Sequence, residues 1–512
     1  MLGTHVGADW LIWNDLKDHR TMDDIIVGIK TGFESISVEH GERIVVDLDG
    51  TLVHTDLLVE SYAKTLGRDF IGAIRILRHL FRSRSAFKHA IATQVHLDAS
   101  LLPYNEEALV WLRSVRESRS AHLYLASASN EKFVEAVATH LGIFDGWIAS
   151  TADVNLSGQR KADRIKEMLG GEQFTYVGNG LVDLPIWRSA AKCVAVECSP
   201  RCRRALLAVA PEATIVEPSK GAWRAWLKLL RVQQYAKNLL VAVPLLASHE
   251  ITPGNVVLTL AAMLAYSLCA SSGYIANDLV DLDADRKHPT KRRRPLANGT
   301  VSILAAPIVA MLLLLAAFTL AIAIGWLFAG VLAFYLVLTE VYTLSLKRKM
   351  VVDAITLAIL YMCRIIAGGA AIEVIPSEWL LGISLFLFTS LAFTKRSIEL
   401  RSNLEADRQK KLHHRNYEVG DLFIVESIAA ACGFNAVTFL ALYIASDAVH
   451  KLYVHPVFLW IACPVLMYWI GRNLMLAHRG LMDDDPIVFA LRDRPSLISA
   501  AVIGAAAVLA TF

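Results

Sequence analysis

From about residue 235 to its end this chain repeats apolar runs of ~17–25 residues, each long enough to cross a bilayer as a helix. Nine spans are expected, at about 235–248, 255–276, 303–324, 326–346, 352–372, 379–394, 424–446, 455–471 and 495–512. Lipid offers backbone amides no partners, so such a stretch folds as an all-α membrane bundle. Residues 41–220 read differently, with mixed charge and short β-branched runs that predict an α/β fold around a parallel sheet. The chain-wide 55% hydrophobic and 19% charged content averages these two halves. The expected order is a loose extension over 1–40, the α/β domain over 41–220, an interfacial linker helix over 221–234 and the membrane domain over 235–512.

Basic residues orient the bundle. Loops after the even-numbered spans hold 20 of them: Arg286, Lys287 and Lys291 to Arg294; Lys347 to Lys349; Lys395, Arg396, Arg401, Arg408, Lys410, Lys411 and Arg415; Arg472, Arg479, Arg492 and Arg494. The opposite loops hold only Lys451, so the even loops and the amino-terminal domain are expected on the cytoplasmic face of an inner membrane. The seven cysteines show no metal-ligand spacing, and Cys193, Cys198 and Cys202 read as reduced thiols. The opening residues carry acids where a signal peptide needs a basic start and an apolar core, so no secretory signal is expected. "GAWRAWLKLLRVQQYAKNLL" reads equally as an amphipathic surface helix or as the first turns of span one. The partner implied is the bilayer, not nucleic acid, and a homo-oligomer stays open.

"RIVVDLDGTLVHTD" (43–56) is a buried-strand pattern that ends in acids and a glycine, where open α/β sheets place their sites. Asp47 and Asp49, two residues apart, suit a nucleophile and a proton carrier. Further on, "AHLYLASAS" ends near Ser127, "SGQRKADRI" offers Lys161 at a helix start, and "FTYVGNGLVDLPIW" carries Asn179 and Asp183, hard ligands suited to Mg²⁺. In this order the motifs resemble the haloacid dehalogenase-like phosphohydrolases, over about residues 43–220. The resemblance implies a Rossmann-like domain with a helical cap, in which Asp47 is the nucleophile and Asp49 the acid/base. It further implies that Ser127 and Lys161 bind phosphate, while Asp47, Asp49, Asn179 and Asp183 surround the metal. One departure stands out. The family's fourth motif begins Gly-Asp, whereas this chain has Gly178-Asn179, which would hold a metal with less charge or mark a non-catalytic domain. The insert between the first two motifs includes "RILRHLFRSRSAFKHA", readable as a solvated face or as a cap receiving an anionic substrate.

"NDLVDLDAD" (277–285) follows the second span. If the helix continues, Asn277, Asp281 and Asp285 share one face with Asp278 beside them. Carboxylates so arranged repel one another unless a cation joins them, and Mg²⁺ bearing a diphosphate is the natural guest. The motif NDxxDxxxD and the span pattern resemble the intramembrane UbiA prenyltransferase superfamily over about residues 225–512. That family commonly carries a second motif, DxxxD, near span five. Here Asp353 is present, but Lys349 replaces the earlier acid, in a cationic run with Lys347 and Arg348.

"HPTKRRRPLANG", "LKRKMVVD", "RIIAGG", "FTKRSIELR" and "DDPIVFALRDRP" are similar to the decaprenyl-phosphate phosphoribosyltransferase branch. By that resemblance Asn277, Asp278, Asp281 (the catalytic centre), Asp285 and Asp353 hold Mg²⁺-diphosphate. Lys237, Asn238, Lys347, Arg364, Lys395 and Arg396 contact phosphate or ribose. The implied reaction moves phosphoribose from phosphoribosyl diphosphate to polyprenyl phosphate. The fused phosphatase would then remove the 5-phosphate, giving a precursor of arabinosyl donors for cell envelope biosynthesis. An aromatic prenyltransferase with a separate phosphatase-like domain is the alternative. A transporter fits less well, because the spans' middles carry almost no acids.

Overall fold

Ile44, Val45 and Val46 are at most 1% exposed, as expected for a strand covered on both faces. They form the centre of β1 (Glu42–Asp47) in a computed structural model that describes residues 32–68, 72, 75–76, 78–81, 83–95, 97–217, 222–288, 290–405, 416–482 and 485–512. The other strands are β2 (Ala121–Asn130), β3 (Gly146–Ser150), β4 (Thr175–Gly178), β5 (Lys192–Val196) and β6 (Thr214–Val216). All pair in parallel, in the order β3-β2-β1-β4-β5-β6. The order reverses beside β1, and Asp47 ends that strand next to the end of β4, at the switch point where such sheets open a crevice.

The chain divides into two compact units, Met1–Ala225 with Asp281–Leu304, and Trp226–Val280 with Ala305–Phe512. The first unit starts earlier than the expected boundary at 41. The turn Gly32–Ser35 buries Phe33 to 1% within the sheet's apolar core, while residues 1–31 of the expected extension lie outside the described residues. The insert after β1 contributes the helices Leu57–Arg68 and Arg84–Gln94, which pack Leu58 and Tyr62 against Phe87 and Ile91, with Ile76 and Val95 in the same cluster. Parts of its cationic run, including Arg82, lie outside the described residues.

The second unit is helical. Eight helices among the described residues are long and apolar enough to cross a membrane: Pro253–Val280, Ala305–Ile324, Trp326–Leu344, Val352–Ala371, Glu378–Ser402, Val419–Ile444, Pro456–His478 and Arg494–Thr511. This corrects the expected nine. The span at 235–248 is instead a 3-10 stretch, Val232–Ala242, followed by the short helix Val243–Ala247 with Pro244 in its first turn. Buried Lys237 and Asn238 lie in that stretch, and side chains of this kind demand polar partners that a lipid-facing span lacks. The preceding amphipathic segment forms its own helix, Ala222–Leu229, separated from the 3-10 stretch by Arg231 in the left-handed region (φ 52°). All seven cysteines are free.

Candidate functional site

In the first unit, β1 delivers Asp47 and the start of the Gln159–Met168 helix delivers Lys161. Lys161 is buried and donates to Asp47 Oδ1 at 2.6 Å, while Asp183 Oδ1 lies 3.9 Å from its ammonium. Burial pushes the Asp47 carboxyl up to about 7 against the pull of Lys161, with Asp183 and Asp49 adding to the rise. Asp183 is fixed from several sides. Tyr176 donates to Oδ1 at 2.9 Å, and the backbone amides of Asn179 and Gly180 donate to Oδ2 at 3.2 and 3.0 Å. Gly178 leaves room for this arrangement, since a Cβ there would stand 2.7 Å from the Tyr176 ring and 2.8 Å from Asp183 Oδ2.

Asp49 takes another direction. Its Oδ1 accepts from the Leu57 amide at 2.9 Å, and its Oδ2 accepts from Ser127 Oγ at 3.0 Å and Ser129 Oγ at 2.7 Å. Burial raises its pKa. A carboxylate so engaged is suited to carrying a proton. The oxygen donors that do converge are Asp47 and Asp183, with the Asn179 amide against Gly50 beside them. Hard oxygens of this kind fit Mg²⁺, although no cluster of three or more acids, histidines or cysteines occurs among the described residues.

In the second unit, the helix Pro253–Val280 ends with Asn277 and Asp278, and Arg231 donates to Asp278 at 2.6 Å. The expected continuous helix is interrupted. Asp281 starts the next helix, Leu282–Lys287, and belongs with Asp285 to the first unit. The Asp285 amide still donates to the Asp281 carbonyl at 2.8 Å, so these two acids keep their one-turn spacing, and Arg294 donates to Asp285 at 2.6 Å.

The expected phosphate contacts fall into two groups. Arg364 donates from Nε to Asn238 at 3.0 Å, from Nη1 to the Leu360 carbonyl at 2.6 Å and from Nη2 to Tyr335 at 3.3 Å, while Asn238 donates to Ser267 at 2.8 Å. The Tyr361 ring lies 5.8 Å from the Lys237 ammonium and 5.5 Å from the Arg364 guanidinium. Lys237 pairs with Asp485, which also stands 3.6 Å from Lys395. These contacts need close backbone approach, since a Cβ on Gly368 would meet the Val241 carbonyl.

In the other group, Arg396 Nε lies 2.7 Å from Asp353 Oδ2 and Tyr417 donates to Asp353 Oδ1 at 2.7 Å. Arg396, which is fully buried, also donates to Glu399 at 2.5 Å. Lys347 is half-buried in the turn Leu346–Arg348, and the carbonyl of exposed Lys349 accepts from the Asp353 amide at 3.1 Å. Sequence reasoning missed Tyr176, Ser129, Arg231, Tyr417 and Asp485. Only Asp485 carried a local signal, an acid directly before a proline that opens a helix, and its carboxylate does cap Pro486–Ala490.

A profile of the UbiA prenyltransferase family matches residues 239–491. The chain is 33% identical over 470 residues to uncharacterized protein y4nM of Sinorhizobium fredii, covering 91% of this chain and 90% of that one. Residues 239–491 form a UbiA prenyltransferase-family domain. The chain is also 34% identical over 194 residues to decaprenyl-phosphate phosphoribosyltransferase of Mycobacterium tuberculosis, spanning 37% of this chain and 64% of that protein. A solved phosphoserine phosphatase structure is similar over 37% of this chain and 98% of that chain, at 15% identity and a TM-score of 0.25.

Proposed function

We propose that this protein is a bifunctional membrane enzyme that builds a lipid-linked ribose. Its membrane half transfers phosphoribose from phosphoribosyl diphosphate to polyprenyl phosphate, and its sheet-bearing half removes the 5-phosphate. The observation that carries the choice of donor is the pairing of Asp353 with Arg396 and Tyr417. With that acid engaged and Lys349 in the place of its partner, a second acidic motif for a prenyl diphosphate is missing. The buried cations Lys237 and Arg364 instead suit a donor richer in phosphate. The similarity to decaprenyl-phosphate phosphoribosyltransferase supports the same donor.

In the transfer, an oxygen of polyprenyl phosphate attacks the anomeric carbon of the ribose. The bond from that carbon to the diphosphate breaks, and its electron pair leaves with the diphosphate. Asn277, Asp278, Asp281 and Asp285 would hold Mg²⁺, whose chemistry is to offset charge on the departing diphosphate. Arg231 and Arg294 orient Asp278 and Asp285.

In the phosphatase half, a carboxylate oxygen of Asp47 attacks phosphorus and the ribose 5-oxygen departs, taking a proton from Asp49. Asp49 then accepts a proton from the water that hydrolyses the aspartyl-phosphate. Lys161 orients Asp47 and neutralises the phosphoryl group, Ser127 orients Asp49, and Asp47, Asn179 and Asp183 would hold Mg²⁺. Both reactions belong on the cytoplasmic face, where phosphoribosyl diphosphate is available, within cell envelope biosynthesis. The test is to supply the full-length enzyme in lipid nanodiscs with phosphoribosyl diphosphate, polyprenyl phosphate and Mg²⁺, and to read lipid products by mass spectrometry. Polyprenyl-phosphoryl-ribose is expected; a prenylated aromatic product, or no lipid-linked sugar, refutes the reading.

A further inference from the structure

The helix Leu282–Lys287 carries a charge pair that metal or diphosphate binding does not require. Arg286, directly after Asp285, has a side chain 3% exposed, and the Glu60 side chain opposite is 0% exposed. The guanidinium donates from Nη1 to Glu60 Oε1 at 2.5 Å and from Nη2 to Oε2 at 3.1 Å, a two-pronged pair. Its Nε donates to the Ala297 carbonyl at 3.1 Å. Glu60 also accepts from Thr55 at 3.0 Å and stands 3.3 Å from Lys64, which in turn lies 2.9 Å from Asp283.

Glu60 and Lys64 sit on the Leu57–Arg68 helix, and residues 281–304 belong to the same compact unit as that helix and the sheet. A loop that served topology alone would leave its cations in water. Burying this pair desolvates two charges, an arrangement whose best-attested return is a fixed register. The register fixed here is that of one turn, in which the Asp285 amide bonds the Asp281 carbonyl and Arg294 holds the Asp285 carboxylate.

We infer that Glu60 is a positioning residue: by clamping Arg286 it sets the turn that carries Asp281 and Asp285, and with it their hold on Mg²⁺-diphosphate. The inference rests on the proposed diphosphate site. Outer partners that orient ligating carboxylates typically change metal affinity by about 10–100-fold when removed.

The test uses full-length enzyme in nanodiscs bearing Glu60→Gln, which keeps the shape and removes the charge. Inorganic diphosphate with Mg²⁺ is titrated by calorimetry, and KM and kcat for phosphoribosyl diphosphate are measured beside hydrolysis of p-nitrophenyl phosphate and the thermal midpoint. The expected result is a Kd for Mg²⁺-diphosphate and a KM for phosphoribosyl diphosphate raised about tenfold or more, with p-nitrophenyl phosphate hydrolysis within about twofold of wild type. Wild-type affinity for Mg²⁺-diphosphate in a folded Glu60→Gln protein overturns the inference. Should Glu60→Gln fail to fold, Arg286→Lys keeps the charge, loses the two-pronged geometry and is measured in the same way: weakened Mg²⁺-diphosphate binding supports the inference and wild-type binding overturns it. If the wild-type protein binds Mg²⁺-diphosphate and Glu60→Gln weakens it, yet no lipid-linked ribose forms, the positioning role stands and the proposed reaction falls. If the wild type does not bind Mg²⁺-diphosphate, the inference falls.

Discussion

Replacing Lys161 with methionine keeps the volume of a buried side chain and deletes its charge. In the wild-type protein the ammonium lies 2.6 Å from Asp47 Oδ1 and 3.9 Å from Asp183 Oδ1. At an effective dielectric of about 20 these separations correspond to gross attractions of ~6 and ~4 kcal/mol, most of which offsets the desolvation of three buried charges. Two carboxylates would then face each other without a cation, a situation that typically costs ~3–5 kcal/mol of stability. Part of that cost is avoidable, because burial already holds Asp47 up to about 7 and the carboxyl can take a proton. A protonated Asp47 does not attack phosphorus, so the loss appears mainly in catalysis. Losing one charge-stabilising donor costs ~100–1,000-fold in turnover, and Lys161→Met is expected within or beyond that range. The assay is steady-state hydrolysis of p-nitrophenyl phosphate by the full-length enzyme, with transfer to polyprenyl phosphate as the internal control. Retention of more than about a tenth of the phosphatase kcat/KM would refute the reasoning, since the residual loss would be under ~1.4 kcal/mol.

Other substitutions test separate parts. Asp47→Asn should accumulate the 5-phosphorylated lipid, whereas Asp281→Asn should abolish lipid-linked sugar altogether, both read by mass spectrometry. Tyr176→Phe removes the 2.9 Å hydrogen bond to Asp183 and should raise the Mg²⁺ concentration for half-maximal phosphatase activity by about tenfold, with ~1 kcal/mol lost in stability. Asp353→Asn removes one of the two acids paired with buried Arg396, Glu399 remaining, and should destabilise the detergent-solubilised protein by ~1.5–3 kcal/mol, seen as a lowered thermal midpoint. Burial would raise the Glu60 carboxyl, but Arg286 and then Lys64 and Thr55 hold it below the usual range. Its folded pKa is therefore depressed, so the stabilisation it gives is present above the ordinary carboxylate pKa of about 4.3 and is lost as pH falls through the folded value. The stability difference between wild type and Glu60→Gln should thus stay flat from about pH 6 to 8 and shrink in acid, as followed by thermal melts.

Periodicity and local chemistry made most of the architecture legible. Parallel buried strands announce themselves as β-branched runs, and spans as apolar stretches, because both patterns reflect how a single segment meets its surroundings. The segment at 235–248 misled for the same reason. Its hydropathy resembled a span, while Lys237 and Asn238 required polar partners from distant helices that no local pattern reveals. The acids of the first motif stand in the sequence, whereas the helix break at Asp281 has no local signal there.

By itself, the sequence determined two halves of opposite solvent preference, the strand end that carries Asp47 and the run of acids from Asp278 to Asp285. Those features are local, set by the chemistry of adjacent residues. Only the tertiary structure decided which charges pair. It turned Asp49 toward Ser127 and Ser129, gave Asp353 to Arg396 and Tyr417, and joined Glu60 to Arg286 across 226 residues of chain. A buried charge is stable only beside its partner, and that partner is chosen by packing in three dimensions, which spacing along the chain does not encode.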